Sequence, residues 1–304
     1  MSTTSTPAST PVPRSTNRVV AQTSTRTDRR RGVQRRDNPL WGVLAWVIGF
    51  LFVLPVLWMV LTSFHSETNA ATNPPAIAAR LTLDGYRHFF TGGANPWPPL
   101  INSATASIVS TLLVLVLALP AAYALSIKPV EKWTDVLFFF LSTKFLPIVA
   151  GLLPLYLFAV HTGLLDNIFL LVLLYTSMNL PIAVWMMRSF LAEVPVEMLE
   201  AASLDGAGLI VLLRKVIMPV AMPGIAATAL ICFIFSWNEL LLARTLTATV
   251  ATTAPVFLTS FVTSQGLFLA QVCAAATVIS LPVLAAGFAA QDKLVQGLSM
   301  GAVK

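Results

Sequence analysis

Six stretches of this 304-residue chain are long and apolar enough to cross a membrane, and they limit its fold more than any other feature. They lie near 40–64, 101–125, 136–160, 164–187, 224–243 and 269–290, each interrupted by at most one or two strongly polar side chains. In hydrocarbon every backbone N–H and C=O must be satisfied inside the chain, so apolar runs of about 20 residues become helices. The expected fold class is therefore an all-α membrane protein with six spans over 40–290. Pro55, Pro120, Pro147, Pro154, Pro181 and Pro282 fall inside these runs. Each deletes a backbone bond and kinks its helix, which neighbouring helices in a bundle absorb. Composition agrees: charged residues make up 11% of the chain, against about 25% in soluble domains.

Residues 1–38 are rich in Ser, Thr, Pro and Arg without an apolar period, the pattern of a disordered tail. Its eight arginines include no aromatic neighbours, so the net charge of +6 argues for membrane orientation rather than nucleic-acid binding. With the N-terminus inside, fifteen of the nineteen lysines and arginines fall on the inner side, three outside and one, Lys144, within a span. That bias places both termini in the cytoplasm of a multi-pass cytoplasmic-membrane protein. Cys232 and Cys273 lie in apolar spans and His65, His88 and His161 in separate loops, so neither a disulfide framework nor a metal site is expected.

The same topology puts the segment 191–223 in the cytoplasm. It reads Glu200-Ala201-Ala202, three residues, Gly206, nine residues, then Val216, Ile217, Met218 and Pro219. Pro195 suits the first turn of a short helix, and Glu193 and Glu197 favour its N-terminal end. Ala201 and Ala202 are small enough for a partner to approach, and Gly206 allows a sharp turn. Pro219 and Pro223 are expected to break the helix before the fifth span.

That spacing resembles the EAA motif of ABC importer permeases, the cytoplasmic loop that docks into the ATPase subunit. Val216 stands where the pattern favours Ile, and Met218 where it favours Leu. The resemblance extends over about 40–304. Ser142-Thr143-Lys144-Phe145-Leu146-Pro147, Asn179-Leu180-Pro181, Trp237-Asn238-Glu239 and the ending Gly297-Leu298…Gly301-Ala302-Val303-Lys304 are similar to permeases of carbohydrate importers of the maltose type. The ending is that of the second permease, and the Ser-Thr-Lys-x-Leu-Pro run resembles permeases for mannitol and sorbitol. The resemblance implies a six-transmembrane-helix ABC importer permease bundle with a cytoplasmic EAA coupling-helix loop. In it Glu200 would pair with a basic residue of the ATPase, Ala201, Ala202 and Gly206 would shape the docking surface, and 194–204 would be the coupling helix, with Pro219 closing the motif. The tail 291–304, with Gly297, Gly301 and Lys304, would insert between ATPase subunits. The implied partners are a second permease, an ATPase dimer, an extracytoplasmic solute-binding protein and the surrounding lipid. The chain has no phosphate-cradling Gly-Lys loop, so ATP and Mg belong to the ATPase and this chain binds no cofactor and is not itself an enzyme.

Lys144 is the costliest side chain in the spans, since an ammonium near the midplane demands a partner or water. It either pairs with a carboxylate, Glu239 being the acidic candidate within this chain's spans, or lines the substrate pathway. Trp237, Asn238 and Glu239 face the same choice. Trp237 would stack on a sugar-like skeleton or anchor at the membrane interface. The outer segment 244–268 would contact the binding protein by resemblance, or form a solvated loop. Tyr86, Phe89, Phe90 and Trp97 in the outer segment 65–100 suggest an interfacial helix. An ion-driven carrier would need a carboxylate-bearing span or interrupted repeats, and a membrane enzyme would need clustered catalytic side chains. Glu239 alone meets the first demand and no residues meet the second.

Overall fold

The structure, a computed structural model, describes residues 39–72, 77–93, 95–127, 130–263 and 266–302. The expected tail over 1–38 and the terminal Lys304 lie outside them. Two compact units divide the chain, 1–51 and 52–304. The described part of the first is the opening half of helix α1 (Pro39–Thr62), apolar on every side as a membrane helix must be.

Among the described residues the regular structure of the second unit is helical apart from one two-stranded hairpin, Val262–Thr263 with Gly266–Leu267. Short helices α2 (Glu67–Ala70) and α3 (Asp84–Thr91) precede the bundle, whose long helices are α4 (Trp97–Ser126), α7 (Ile168–Leu191), α10 (Met218–Trp237) and α13 (Leu269–Ala302). Between them come α5 (Trp133–Ser142), α6 (Ile148–Thr162), α8 (Val196–Leu204), α9 (Leu209–Val211), α11 (Leu241–Leu246) and α12 (Ala254–Leu258). α4 packs along α7 and α10, and α10 packs along α13. The buried row on α4, Ser103, Ser107, Ser110, Val114, Ala118 and Ala122, recurs every three or four residues. Small side chains in such a row let helices approach closely where lipid supplies no hydrophobic drive.

Among the described residues five helices are long and apolar enough to cross a membrane, and α5 with α6 makes a sixth if the bent pair counts as one span. The continuous helix expected over 136–160 is broken: α5 ends in a 3-10 turn at Thr143–Phe145, and α6 leaves at 83°. Pro147 is the cause, since its ring drives the preceding Leu146 out of the helical region and it has no N–H to continue the ladder.

The prolines at 219 and 223 behave differently from expectation. A helical run continues from Leu209 to Trp237, with a π turn over Leu212–Ile217 immediately before α10. Pro219 lies in the first turn of α10, where its missing N–H costs little. The run then ends at Trp237, not near 243, and α11 follows as a separate short helix. The last helix runs unbroken to Ala302, so Gly297 and Gly301 sit in its final turns.

Candidate functional site

At one end of the bundle α8 projects as a short helix between α7 and α9. Pro195 stands at its N-cap in extended geometry, and Glu197 lies in its first turn. The helix closes on Gly206, whose φ of +74° belongs to the left-handed region. There the Gly206 N–H donates to Ser203 O (3.1 Å) and the Ala207 N–H to Ala202 O (3.0 Å), a Schellman closure that turns the chain sharply toward α9. A side chain at 206 would strain this turn.

Glu200 and Ala201 are exposed on α8, and Pro219 is exposed at the start of α10. Ala202 is not: it turns inward and packs with Leu191 and Leu212 in the bundle core. Of the two alanines expected to shape a docking surface, Ala201 is exposed and Ala202 is not, because a helix only nine residues long must spend one face on its own bundle. Sequence reasoning missed the exposed aliphatic side chains beside them. Leu204 is 89% exposed and Ile210 is 79% exposed, and a cavity of about 680 Å³ opens next to Glu200 against Tyr123, Ile127 and Leu212. Large aliphatic side chains left this exposed form an apolar patch beside Glu200. Nearby the Arg188 guanidinium sits 4.1 Å from the Trp133 ring centre, tying the start of α5 to the end of α7.

Midway along the bundle, Lys144 lies on the 3-10 turn at the break in α5–α6 and its Nζ donates to Met178 O at 2.8 Å. Of the two readings, the pairing with Glu239 is not formed. Glu239 is occupied elsewhere, accepting from the N–H groups of Leu242 (2.9 Å) and Ala243 (3.1 Å) at the start of α11, as carboxylates at helix N-termini do. Lys144 instead lines an open cavity of about 780 Å³ with Thr143, Gly151, Ser177, Met178 and Pro181. Trp237 neither faces that cavity nor anchors at an interface. It is buried beside Phe233, and its Nε1–H donates to Ile279 O at 3.1 Å, stapling α10 to α13. Asn238 is exposed, with its side chain bonded to Ile234 O. None of Trp237, Asn238 and Glu239 lines the Lys144 cavity, although Leu242, whose N–H Glu239 accepts, does. Behind Lys144, Asn179 donates to Ser236 (2.9 Å), which in turn meets Ser110 (3.1 Å), a buried polar link across α7, α10 and α4.

The opposite end is closed by the chain itself. α3 is packed rather than free at an interface, since Phe89 is buried against Phe257 and Phe261. The Glu67 carboxylate accepts from Ala270 N–H (3.1 Å) and Gln271 N–H (2.9 Å) at the start of α13. Asp166, in the turn between α6 and α7, accepts from four successive N–H groups, Ala248 to Ala251, at 2.9–3.0 Å. Burial pushes its pKa up, but these four bonds outweigh burial and hold the carboxyl below the usual carboxylate range. Nothing local marks Asp166 in the sequence, because its partners lie 82 to 85 positions away. Among the described residues no three His, Cys, Asp or Glu converge as a metal site.

The family model described as "Binding-protein-dependent transport system inner membrane component" matches residues 34–300. The chain is similar to the probable ABC transporter permease protein y4oR of Sinorhizobium fredii, 38% identical over 266 residues, which cover 87% of this chain and 95% of that protein. It is also similar to the trehalose transport system permease protein SugB of Mycobacterium tuberculosis, 34% identical over 272 residues covering 88% and 98%. Among solved structures, a chain of a bacterial ABC transporter involved in the import of the acidic polysaccharide alginate shares the fold, with TM-score 0.68 and 21% identity over 85% of this chain and 98% of that one.

Proposed function

The chain belongs to the family of binding-protein-dependent transport system inner membrane components, and we propose that it is one of two permease subunits in an ATP-driven importer of a sugar-class solute. The observation that carries this reading is the 191–223 loop. Its EAA-type spacing coincides with a rigidly closed helix that exposes Glu200, Ala201 and an apolar rim. Such a surface suits insertion into a cleft of an ATPase subunit. The charge bias puts this loop and both termini inside the cell and the Asp166 end outside. ATP and Mg are then used by the ATPase, and its closure is passed through α8 and the π turn into α10. The final turns of α13, with Gly297 and Gly301, extend toward the same ATPase subunits, and Lys144 with its cavity lies on the solute pathway.

For the solute, the Ser142–Pro147 run supports a polyol such as mannitol or sorbitol. The likeness to a trehalose permease supports a disaccharide equally. Calorimetry with the companion binding protein distinguishes the two by which sugar it retains. The coupling role is tested by Glu200→Ala in the reconstituted complex. Leaving a basic partner unpaired in a partly desolvated cleft costs roughly 2–5 kcal/mol, so solute-stimulated ATP hydrolysis is lost while the membrane level stays normal. Glu193→Ala, on the same loop but outside the motif, changes little. Equal, unimpaired stimulation in both variants refutes the coupling role.

A further inference from the structure

Segment 246–254, between α11 and α12, is held by three side chains, Asp166 of the α6–α7 turn and Asn102 and Ser103 of α4. The Asp166 N–H donates to Leu246 O (2.9 Å). Asp166 Oδ1 accepts from the N–H groups of Ala248 and Ala251, and Oδ2 from those of Thr249 and Val250, with the Thr249 hydroxyl at 3.3 Å. Successive N–H groups converging on one anion form a nest, ordinarily a place for a bound anion; here the chain fills it with its own carboxylate. On the far side of the loop, Asn102 Nδ2 of α4 donates to Val250 O (2.8 Å) and Thr252 O (3.0 Å), and Ser103 Oγ accepts from Ala254 N–H (2.8 Å). Asp166 itself adopts φ +56°, unusual for a residue other than glycine. Strain of that kind persists only where the surroundings enforce it.

The result is a loop whose backbone is pinned while its tip stays open. Ala248, Thr249 and Val250 are exposed, Val250 by 74%. A free loop of Thr and Ala would sample many conformations, and a partner binding it would bear the ordering cost. Fixing four N–H groups beforehand removes that cost. It also leaves an aliphatic side chain, Val250, at the summit of a rigid polar turn.

We infer that Asp166 is a positioning residue that presets the 248–252 turn as the contact through which the extracytoplasmic binding protein docks. This rests on the reading of the chain as a binding-protein-dependent permease with this end outside. Asp166 touches no solute. It acts by keeping Val250 and its neighbours in the docking conformation, so its loss weakens encounter with the binding protein and spares turnover once the complex has formed.

The test is ATP hydrolysis by the full reconstituted transporter, titrated with binding protein at saturating solute. For Asp166→Ala the half-saturating concentration of binding protein rises tenfold or more, while the maximal rate and the basal rate stay within twofold of wild type. Asp166→Asn falls between, because its amide keeps one acceptor oxygen for the nest. Val250→Asp, which leaves the latch intact and spoils the tip, raises half-saturation as well. If Val250→Asp weakens docking and Asp166→Ala does not, the positioning role is overturned and the docking turn stands. If neither shifts half-saturation while Glu200→Ala abolishes stimulation, the turn is not the docking element and the inference fails, with the permease reading intact. If the wild-type complex gives no stimulation by binding protein at all, the permease reading itself fails. Should Asp166→Ala not assemble, Asp166→Asn with Asn102→Ala carries the same test. Raised half-saturation with an unchanged maximal rate supports the inference, and an unchanged titration overturns it.

Discussion

The two ends of the bundle are built on opposite plans. At the Asp166 end, side chains from α4, the α6–α7 turn and the start of α2 reach across the chain to bind backbone, and aromatic rings from α3 and α12 fill the space beneath. At the α8 end, the loop's own side-chain bonding shrinks to Ser203 folding back on Leu199, and aliphatic side chains stand in the open. One end is tied together by the chain's own bonds and rings; the other leaves aliphatic area exposed. A loop that must receive a moving partner gains from exposed apolar contact. A loop that must be recognised from solution gains from being fixed in advance.

The comparison is tested most severely by Phe89→Ala. If the Asp166 end is self-supporting, removing a ring that is 1% exposed should cost about 3–5 kcal/mol of stability. It should lower the thermal transition of the isolated chain in detergent, with no ATPase present. A transition within a degree of wild type would mean that this end, too, relies on a partner. A smaller effect, about 1–3 kcal/mol from overpacking, is expected at Gly224 of α10. A Cβ there would run into the Phe190 ring of α7. Gly224→Ala should therefore lower the yield of folded protein, and adding Phe190→Ala should restore part of it. Failure of the second change to help would show that another contact limits the α7–α10 approach.

Much of this was legible in the sequence because bilayer thickness is a length filter. Apolar runs announce spans whatever they pack against: four of the long helices and the α5–α6 pair fall close to the runs, while the fifth helical run begins earlier and ends at Trp237, short of 243. Glycine at 206 was legible for a similar reason, since a turn closing a short polar helix needs a residue free to adopt positive φ. What escaped depends on who meets whom. The side on which Ala202 lies follows from the packing of α8 on Leu212, which spacing alone does not state. For Trp237 the sequence offered stacking on a sugar-like skeleton or anchoring at an interface, yet α13 passes alongside and offers Ile279 O. Of the two readings left open for Lys144, the carboxylate partner counted charges and overlooked the backbone carbonyl of Met178. Glu239 stands three and four residues before two N–H groups that open a short helix, and that local pattern was readable. Asp166 had no such signal.

The smallest effect on the chain itself is expected at Leu204 and Ile210. Both are largely exposed, so exchanging them for serine removes little buried area from the chain's own core. Surface changes of this kind usually stay within about 0.5 kcal/mol, and the thermal transition of the isolated Leu204→Ser, Ile210→Ser chain should match wild type. The same double change strips the apolar rim from beside Glu200, which should show as reduced recovery of the ATPase on the tagged permease after solubilisation. Stability and association thus separate at this end, whereas Phe89→Ala joins them at the other. A clear loss of stability in the double variant would place these side chains in the chain's own core and erase the contrast between the two ends. Unchanged stability with full ATPase recovery would leave Glu200 and Ala201 to hold the partner without an apolar contribution.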